Sequence, residues 1–345
     1  MIKRLSSVAA ISIALSLTLG LARAAEVKSI AILTPEQGTD YGWNQQAVEA
    51  AKAVGQKYNV KVVTAEGLGY GDIRPTLREL AADGAGLMIA HASGWNKQAP
   101  EIAEETKVPV AITDAPEAKK AGLVTDYTVS GQDGAYLAGI LAARMTRTGT
   151  LGIVVSGEPP AWNSQSAAFA MGAQSIKKDI KLIYSVIGPA AYGDAAGGKR
   201  VTESVIGAGA DIIFGQGNGS SFGMIQAVET GKAADGGKVW FIDVIGDKTS
   251  LDKGNLLSSV LWNFEPVFGK MIDDLKAGTF GTAGYSLSLG DGSIDLLKTK
   301  HIPDDVWAEV MKAKESIVSG QTKVPAVNNA EEVRKLMSNV TIGKG

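Results

Sequence analysis

The 345-residue chain is predicted to be α/β, folded as two lobes that each carry a parallel sheet with helices on both faces. Three observations predict it. One unit repeats along the chain: a short β-branched run, a Gly, Asp or Ser turn, then an amphipathic stretch of 10–15 residues. Such alternation of strand and helix builds parallel sheets buried on both faces. The length exceeds what one core holds, since single cores stop growing near ~250–300 residues. Finally, the runs divide into two similar groups of four, with Tyr127–Asp133 as the break.

Taken in order, the first element is Val8–Leu21, an apolar run preceded by Lys3 and Arg4 and followed by Ala22-Arg23-Ala24. A basic start, a short apolar stretch and a small-x-small end are the features of a cleavable signal peptide. Residues 1–24 are therefore expected to be removed, leaving 321 residues from Ala25 in a periplasm or outside the cell. The run is shorter than the ~20 apolar residues a membrane crossing needs. No Cys follows it, which excludes a lipid anchor on cysteine and any disulfide. Loss of Lys3, Arg4 and Arg23 moves the formal charge from −2 to −5, with 31 basic against 36 acidic residues. That balance lacks the basic footprint of a nucleic-acid partner.

Strands are expected at 29–33, 61–65, 86–90, 109–113, 151–155, 181–186, 211–214 and 239–243, where β-branched runs end in turn residues. Helices are expected at 45–58, 73–83, 95–106, 135–146, 167–176, 198–208 and 222–230, from apolar spacing near 3.6. A second crossing between lobes is placed after Asp243, because 264–276 reads as a helix that returns to the first lobe. The segment from Tyr285, with its Gly290–Gly292 turn, then returns to the second. This gives 25–130 plus 244–282 as lobe 1 and 131–243 plus 283–345 as lobe 2.

In open parallel sheets, ligands sit at the carboxyl ends of strands. The candidates past each strand are Thr39–Asn44, His91–Trp95, Asp114, Trp162–Asn163, Tyr192, Gly215–Phe222 and Asp243. Aromatics make up only 6% of the chain, yet Tyr41, Trp43, Trp95, Trp162, Tyr192 and Phe222 all fall there. Each could singly cap a core or start a helix. Together they suggest a stacking pocket for a planar ring, at ~1–3 kcal/mol per stacked base.

Enzymatic readings are weaker on residue grounds. Gly219-Ser220-Ser221-Phe222-Gly223 fits a nucleophile elbow, with Asp243 or Asp247 and then His301 in hydrolase order. However, Gly215–Asn218 separates it from its strand, and Pro303 sets His301 beside a turn. Gly193–Lys199 nearly makes a phosphate loop, but Arg200 stands where a Ser or Thr must hold magnesium. With His91 and His301 as the only histidines, no paired-His metal spacing exists, and neither metal nor cofactor is expected.

Several motifs, in order, resemble one family. Asp40-Tyr41-Gly42-Trp43-Asn44 is similar to the Asp-x-Gly-Trp signature of the basic membrane protein family, which includes purine nucleoside receptors of ABC importers. Gly134-Ala135-Tyr136-Leu137-Ala138-Gly139 resembles its Tyr-Leu-Ala-Gly helix, and Thr148–Ile153 its Thr-Gly strand. Phe169–Gln174 resembles the helix that follows, and Ser258-Ser259-Val260-Leu261-Trp262 the Thr-Ser-Val-x-Trp element of one branch. The resemblance covers nearly all of the mature chain. It implies a type I periplasmic-binding fold with two Rossmann-like lobes, three connecting strands and a purine in the cleft. It further implies that Trp43 stacks on the base, that Asn44 bonds the base's edge and that Asp243 sits where nucleoside receptors hold ribose hydroxyls. Where those receptors carry a Lys, this chain has Trp262, which tilts the expectation from a nucleoside toward a free base such as adenine.

The expected ligand-binding set is thus Tyr41, Trp43, Asn44, His91, Trp95, Trp162, Asn218, Asp243 and Trp262. The expected partners are that small ligand and an inner-membrane ABC permease, with the chain acting as a monomer. A sugar or autoinducer receptor is the alternative on the same fold. A secreted hydrolase using Ser221 is the alternative from another class.

Overall fold

A computed structural model describes residues 27–337. The expected signal segment lies outside the described residues. Two six-stranded sheets stand side by side. The first is built from β1 (Ser29–Leu33), β2 (Lys61–Ala65), β3 (Leu87–Ala90), β4 (Val110–Thr113), β5 (Val124–Val129) and β11 (Tyr285–Leu287). The second holds β6 (Thr150–Val155), β7 (Lys181–Val186), β8 (Ile212–Gln216), β9 (Trp240–Ile245), β10 (Leu256–Trp262) and β12 (Ile294–Leu296). Both run in the same order, β2-β1-β3-β4-β5-β11 and β7-β6-β8-β9-β10-β12, and only β12 pairs antiparallel. Central strands such as β1 and β3 are fully buried along their length. Their side chains pack against helices on both faces, which is why they read as unbroken apolar runs.

Helices α1 (Trp43–Tyr58), α2 (Arg74–Ala82), α3 (Gln98–Thr106) and α8 (Glu265–Ala277) accompany the first sheet. The second is flanked by α4 (Gly131–Met145), α5 (Pro160–Ile176), α6 (Ala195–Gly207), α7 (Ser221–Thr230) and α9 (Asp304–Val318), with α10 (Ala330–Leu336) against α5. The chain crosses between lobes after β5, after β10 and after β11.

The crossings differ from expectation in two places. Leu256–Trp262 pairs in parallel with β9, so the second crossing falls after Trp262 rather than after Asp243. Tyr285–Leu287 pairs with β5, so the third follows Leu287 and this segment belongs to the first sheet. The cause is polar residues inside buried strands. Ser258 donates to the Leu297 carbonyl and Ser259 to the Gly246 carbonyl, each at 2.8 Å, so both hydroxyls are buried without an unsatisfied group. Thr125 and Asp126 likewise disguise β5: Asp126 accepts from the Ala115 amide at 2.7 Å, and Thr125 donates to the Ala283 carbonyl.

Helices α4 and α5 form the most extensive helix pair. A Cβ on Gly139 would lie 2.1 Å from the Phe169 carbonyl oxygen, and one on Gly172 would lie 2.1 Å from that of Tyr136. Two motifs behind the family resemblance therefore sit at a backbone-to-backbone contact.

Candidate functional site: a cleft between the lobes

The carboxyl ends of both sheets face one cleft of about 150 Å³. Its walls are Pro35, Trp43, Tyr70, Ala92, Ser93 and Asp114 from the first lobe, and Pro159, Ala161, Trp162, Tyr192, Asn218, Ile245 and Trp262 from the second. The lobes also touch directly. Asn218 Oδ1 accepts from the Trp43 amide at 3.4 Å, and Lys248 Nζ donates to the Tyr41 carbonyl at 3.0 Å. A Cβ on Gly246 would meet that same carbonyl oxygen at 2.1 Å, so this approach requires glycine.

Trp43 is the best-held ring in the cleft. It opens α1, whose first turn is capped by Asp40. The Asp40 carboxylate accepts from the amides of Gly42 (2.9 Å), Asn44 (3.2 Å) and Gln45 (3.0 Å). Behind the indole lies His91, stacked at 3.7 Å between centroids. Trp43 Nε1 donates to the His91 carbonyl (2.9 Å), and the Trp43 carbonyl sits 3.0 Å from His91 Nε2. A carbonyl only accepts, so Nε2 carries the proton and Nδ1 accepts from the Tyr127 hydroxyl. Burial holds His91 far below the usual histidine range, at about 3, against the opposing pull of the Trp43 carbonyl, so the ring stays neutral. Tyr127 continues the stack at 6.0 Å, and Phe264 meets Trp43, His91 and Tyr127 edge-on. One face of the Trp43 indole is thus covered, and the half-buried ring lines the cleft.

The remaining expected residues divide. Trp162, Asn218 and Trp262 line the cleft with Trp43. Trp162 meets Tyr192 edge-on at 5.3 Å, and Trp262 meets Trp43 edge-on at 6.1 Å. Trp262 is 3% exposed and its indole N–H has no hydrogen-bond partner. His91 lies one layer behind. Tyr41 holds a left-handed backbone (φ 50°) and packs its ring on Phe222, outside the cleft lining. Three further expectations are corrected. Asn44 is fully buried and its amide is spent within the cap, donating to Asp40 at 2.7 Å and accepting from the Glu36 amide. Trp95 is fully buried within the first lobe's core. Asp243 is fully buried, paired with Lys248 at 2.6 Å, and accepts from Ser221 Oγ at 3.1 Å.

Asp114 at the end of β4 is the acidic group of the cleft. It too has a left-handed backbone (φ 60°). The residue is exposed to the cleft, while its carboxyl is partly withdrawn from water by the surrounding wall. That burial, with the nearby Asp126 charge, pushes its carboxyl up to about 6 despite the Thr113 hydroxyl. Tyr70, pushed up to about 12 by burial and then by Glu36, escaped the strand-end reading because a Gly-rich loop separates it from β2.

The enzymatic constellations do not assemble. Ser221 meets Asp243, but His301 packs on Trp240 with Asp252 at 4.0 Å. Gly197 to Lys199 are inside α6, which Asp194 caps at the Gly197 amide, so they form helix rather than a phosphate loop.

Two parallel-sheet lobes with an aromatic cleft at their strand ends define a periplasmic-binding-protein-like fold. Residues 27–328 match the model of the family described as Bmp, ABC transporter substrate-binding protein PnrA-like, and the chain belongs to that family. It is 26% identical over 318 residues to the ABC transporter nucleoside-binding protein BmpA of Lactococcus lactis subsp. cremoris, covering 86% of this chain and 88% of that one. A purine-binding protein of Brucella abortus is 26% identical over 313 residues, covering 88% and 84%. Among solved structures, an ABC transporter solute-binding protein from Aeropyrum pernix K1 superposes with a TM-score of 0.76 at 19% identity, covering 90% of this chain and 98% of that one. That likeness concerns the fold alone. Among the described residues, no helix is long and apolar enough to cross a membrane.

Proposed function

We propose that the chain is a periplasmic receptor that captures a purine base, adenine before its nucleoside, and delivers it to an inner-membrane ABC permease. The observation that carries the reading is the Trp43 indole, backed by His91 and Tyr127 and lining a cleft shared with Trp162 and Trp262. A planar ring slid against it gains stacking on a surface already fixed in place. Asp114 is suited to accept from an exocyclic amine or ring N–H, and the unpartnered Trp262 N–H is a donor for a ring nitrogen. Catalysis forms no part of this reading. The lobes hinge and close on the ligand.

The base is favoured over the nucleoside because Asp243, expected to hold ribose hydroxyls, is occupied by Lys248, and because no Lys or Arg side chain is among the lining residues. A second reading, the nucleoside, is favoured by the name of the Lactococcus relative. Calorimetry with adenine and adenosine, side by side on the wild type and Trp262→Ala, tests the choice. Adenine is expected to bind with a Kd of micromolar or tighter, about −8 kcal/mol or better, and Trp262→Ala to weaken it. An adenosine preference of tenfold or more overturns the base reading. Heat with a sugar or amino acid and none with purines overturns both.

A further inference from the structure

Two loops, one in each lobe, repeat the same three residues. Tyr70-Gly71-Asp72 follows β2 and leads into α2, and Tyr192-Gly193-Asp194 follows β7 and leads into α6. Strands β2 and β7 hold the same place in two sheets of identical order. Both aspartates turn back onto their helix: Asp72 accepts from the Arg74 amide at 3.1 Å and Asp194 from the Gly197 amide at 2.8 Å. The tyrosines then lean over different neighbouring loops. Tyr70 lies over Gly94 after β3, with Cδ1 4.0 Å from where a Cβ would stand, and Tyr192 lies over Gly157 after β6, with Cε1 3.4 Å from where its Cβ would stand.

Both rings line the cleft, one from each side. Both phenols are raised by burial and also sense the Glu36 carboxylate, which places them toward the same part of the rim. Tyr70 is nonetheless 54% exposed. An exposed aromatic in a concave wall is apolar surface left to be covered.

We propose that Tyr70 and Tyr192 are a matched pair of ligand-contact residues that close over the cleft from opposite lobes and set how long a bound ring is retained. Trp43 supplies the inner face against which the ring rests, and the two phenol rings supply the outer cover. The hydroxyls are not needed for that work. Because escape requires the cover to lift, the pair acts on dissociation rather than on encounter.

The inference rests on the purine reading for its probe, so the experiment has two arms. Stopped-flow fluorescence with adenine is run on the wild type, Tyr70→Ala, Tyr192→Ala and Tyr70→Phe, each checked for folding by circular dichroism. Each alanine variant is expected to dissociate about tenfold faster with association changed less than about threefold, while Tyr70→Phe stays near wild type. Dissociation unchanged in both alanine variants overturns the proposal. The second arm, acrylamide quenching of tryptophan emission with no purine added, needs no knowledge of the ligand. Both alanine variants should quench more readily because Trp43, Trp162 and Trp262 lose their cover. Should adenine give no signal on the wild type, the purine reading fails, and the quenching decides the pair alone: a rise in both variants sustains it, and no rise overturns it.

Discussion

Each lobe places an aspartate at the interlobe contact, one past a strand and one inside it, and the two have opposite fates. After β1, Asp40 spends its carboxylate on the first turn of α1, accepting from three amides and the Asn44 side chain. Its reach ends inside the helix cap, and the next residue but two, Trp43, is left facing the cleft. In β9, Asp243 spends its carboxylate on Lys248, which bridges to the Tyr41 carbonyl of the other lobe. There the charge becomes part of a strut between lobes. Position at a strand end nominates a residue for ligand contact, but its partners decide whether anything is left to offer a ligand.

The largest test of this contrast is Lys248→Met. It leaves Asp243 buried without its counter-charge, which should cost ~3–5 kcal/mol of stability in urea unfolding. A loss below ~1 kcal/mol would mean that the pair holds nothing and that Asp243 is free to serve a ligand.

Acid probes the platform behind Trp43. Folded, His91 remains neutral down to about 3, whereas the unfolded chain takes up that proton near 6.5. The stability from this residue is therefore complete above pH ~6.5 and is lost as pH falls toward ~3, on the order of 4 kcal/mol in all. In His91→Gln the stability difference between pH 7 and pH 4 should shrink by a substantial part of that amount. An unchanged difference would show that His91 protonates freely.

Trp43→Ala sharpens the other side of the comparison. It should weaken adenine binding by ~1–3 kcal/mol in calorimetry while the circular dichroism spectrum stays native. An unfolded variant would instead assign the indole to the core.

The smallest expected effect belongs to Asp114. Its raised carboxyl favours the folded state only while protonated, so its contribution is present below its ordinary 3.8 and is lost as pH rises through about 6. Asp114→Asn should therefore gain in Tm relative to wild type at pH 7 compared with pH 4. Equal shifts at both values would mean that the side chain is fully solvated.

What the sequence by itself determined follows from local chemistry. Buried parallel strands are apolar on both faces, so β1 is legible residue for residue, while the edge strands β2 and β7 are legible from β-branched runs bounded by turns. Strand ends of such sheets form the cleft, which brought Trp43, Trp162 and Asn218 into view, while Trp262 came into view through the family resemblance. Tertiary structure alone decided the rest. Strands β5 and β10 were hidden because their Thr, Asp and Ser groups find partners from distant segments, such as Ala283 and Leu297, which no local pattern announces. Gly139 and Gly172, within the motifs that mark the family, turned out to serve the α4–α5 contact rather than the ligand. Asn44 and Asp243 left the site because their polar groups are satisfied by partners the fold brings near, and Trp95 because its ring packs into the first lobe's core. The sequence names the residues that could face a ligand, and packing and hydrogen bonding choose among them.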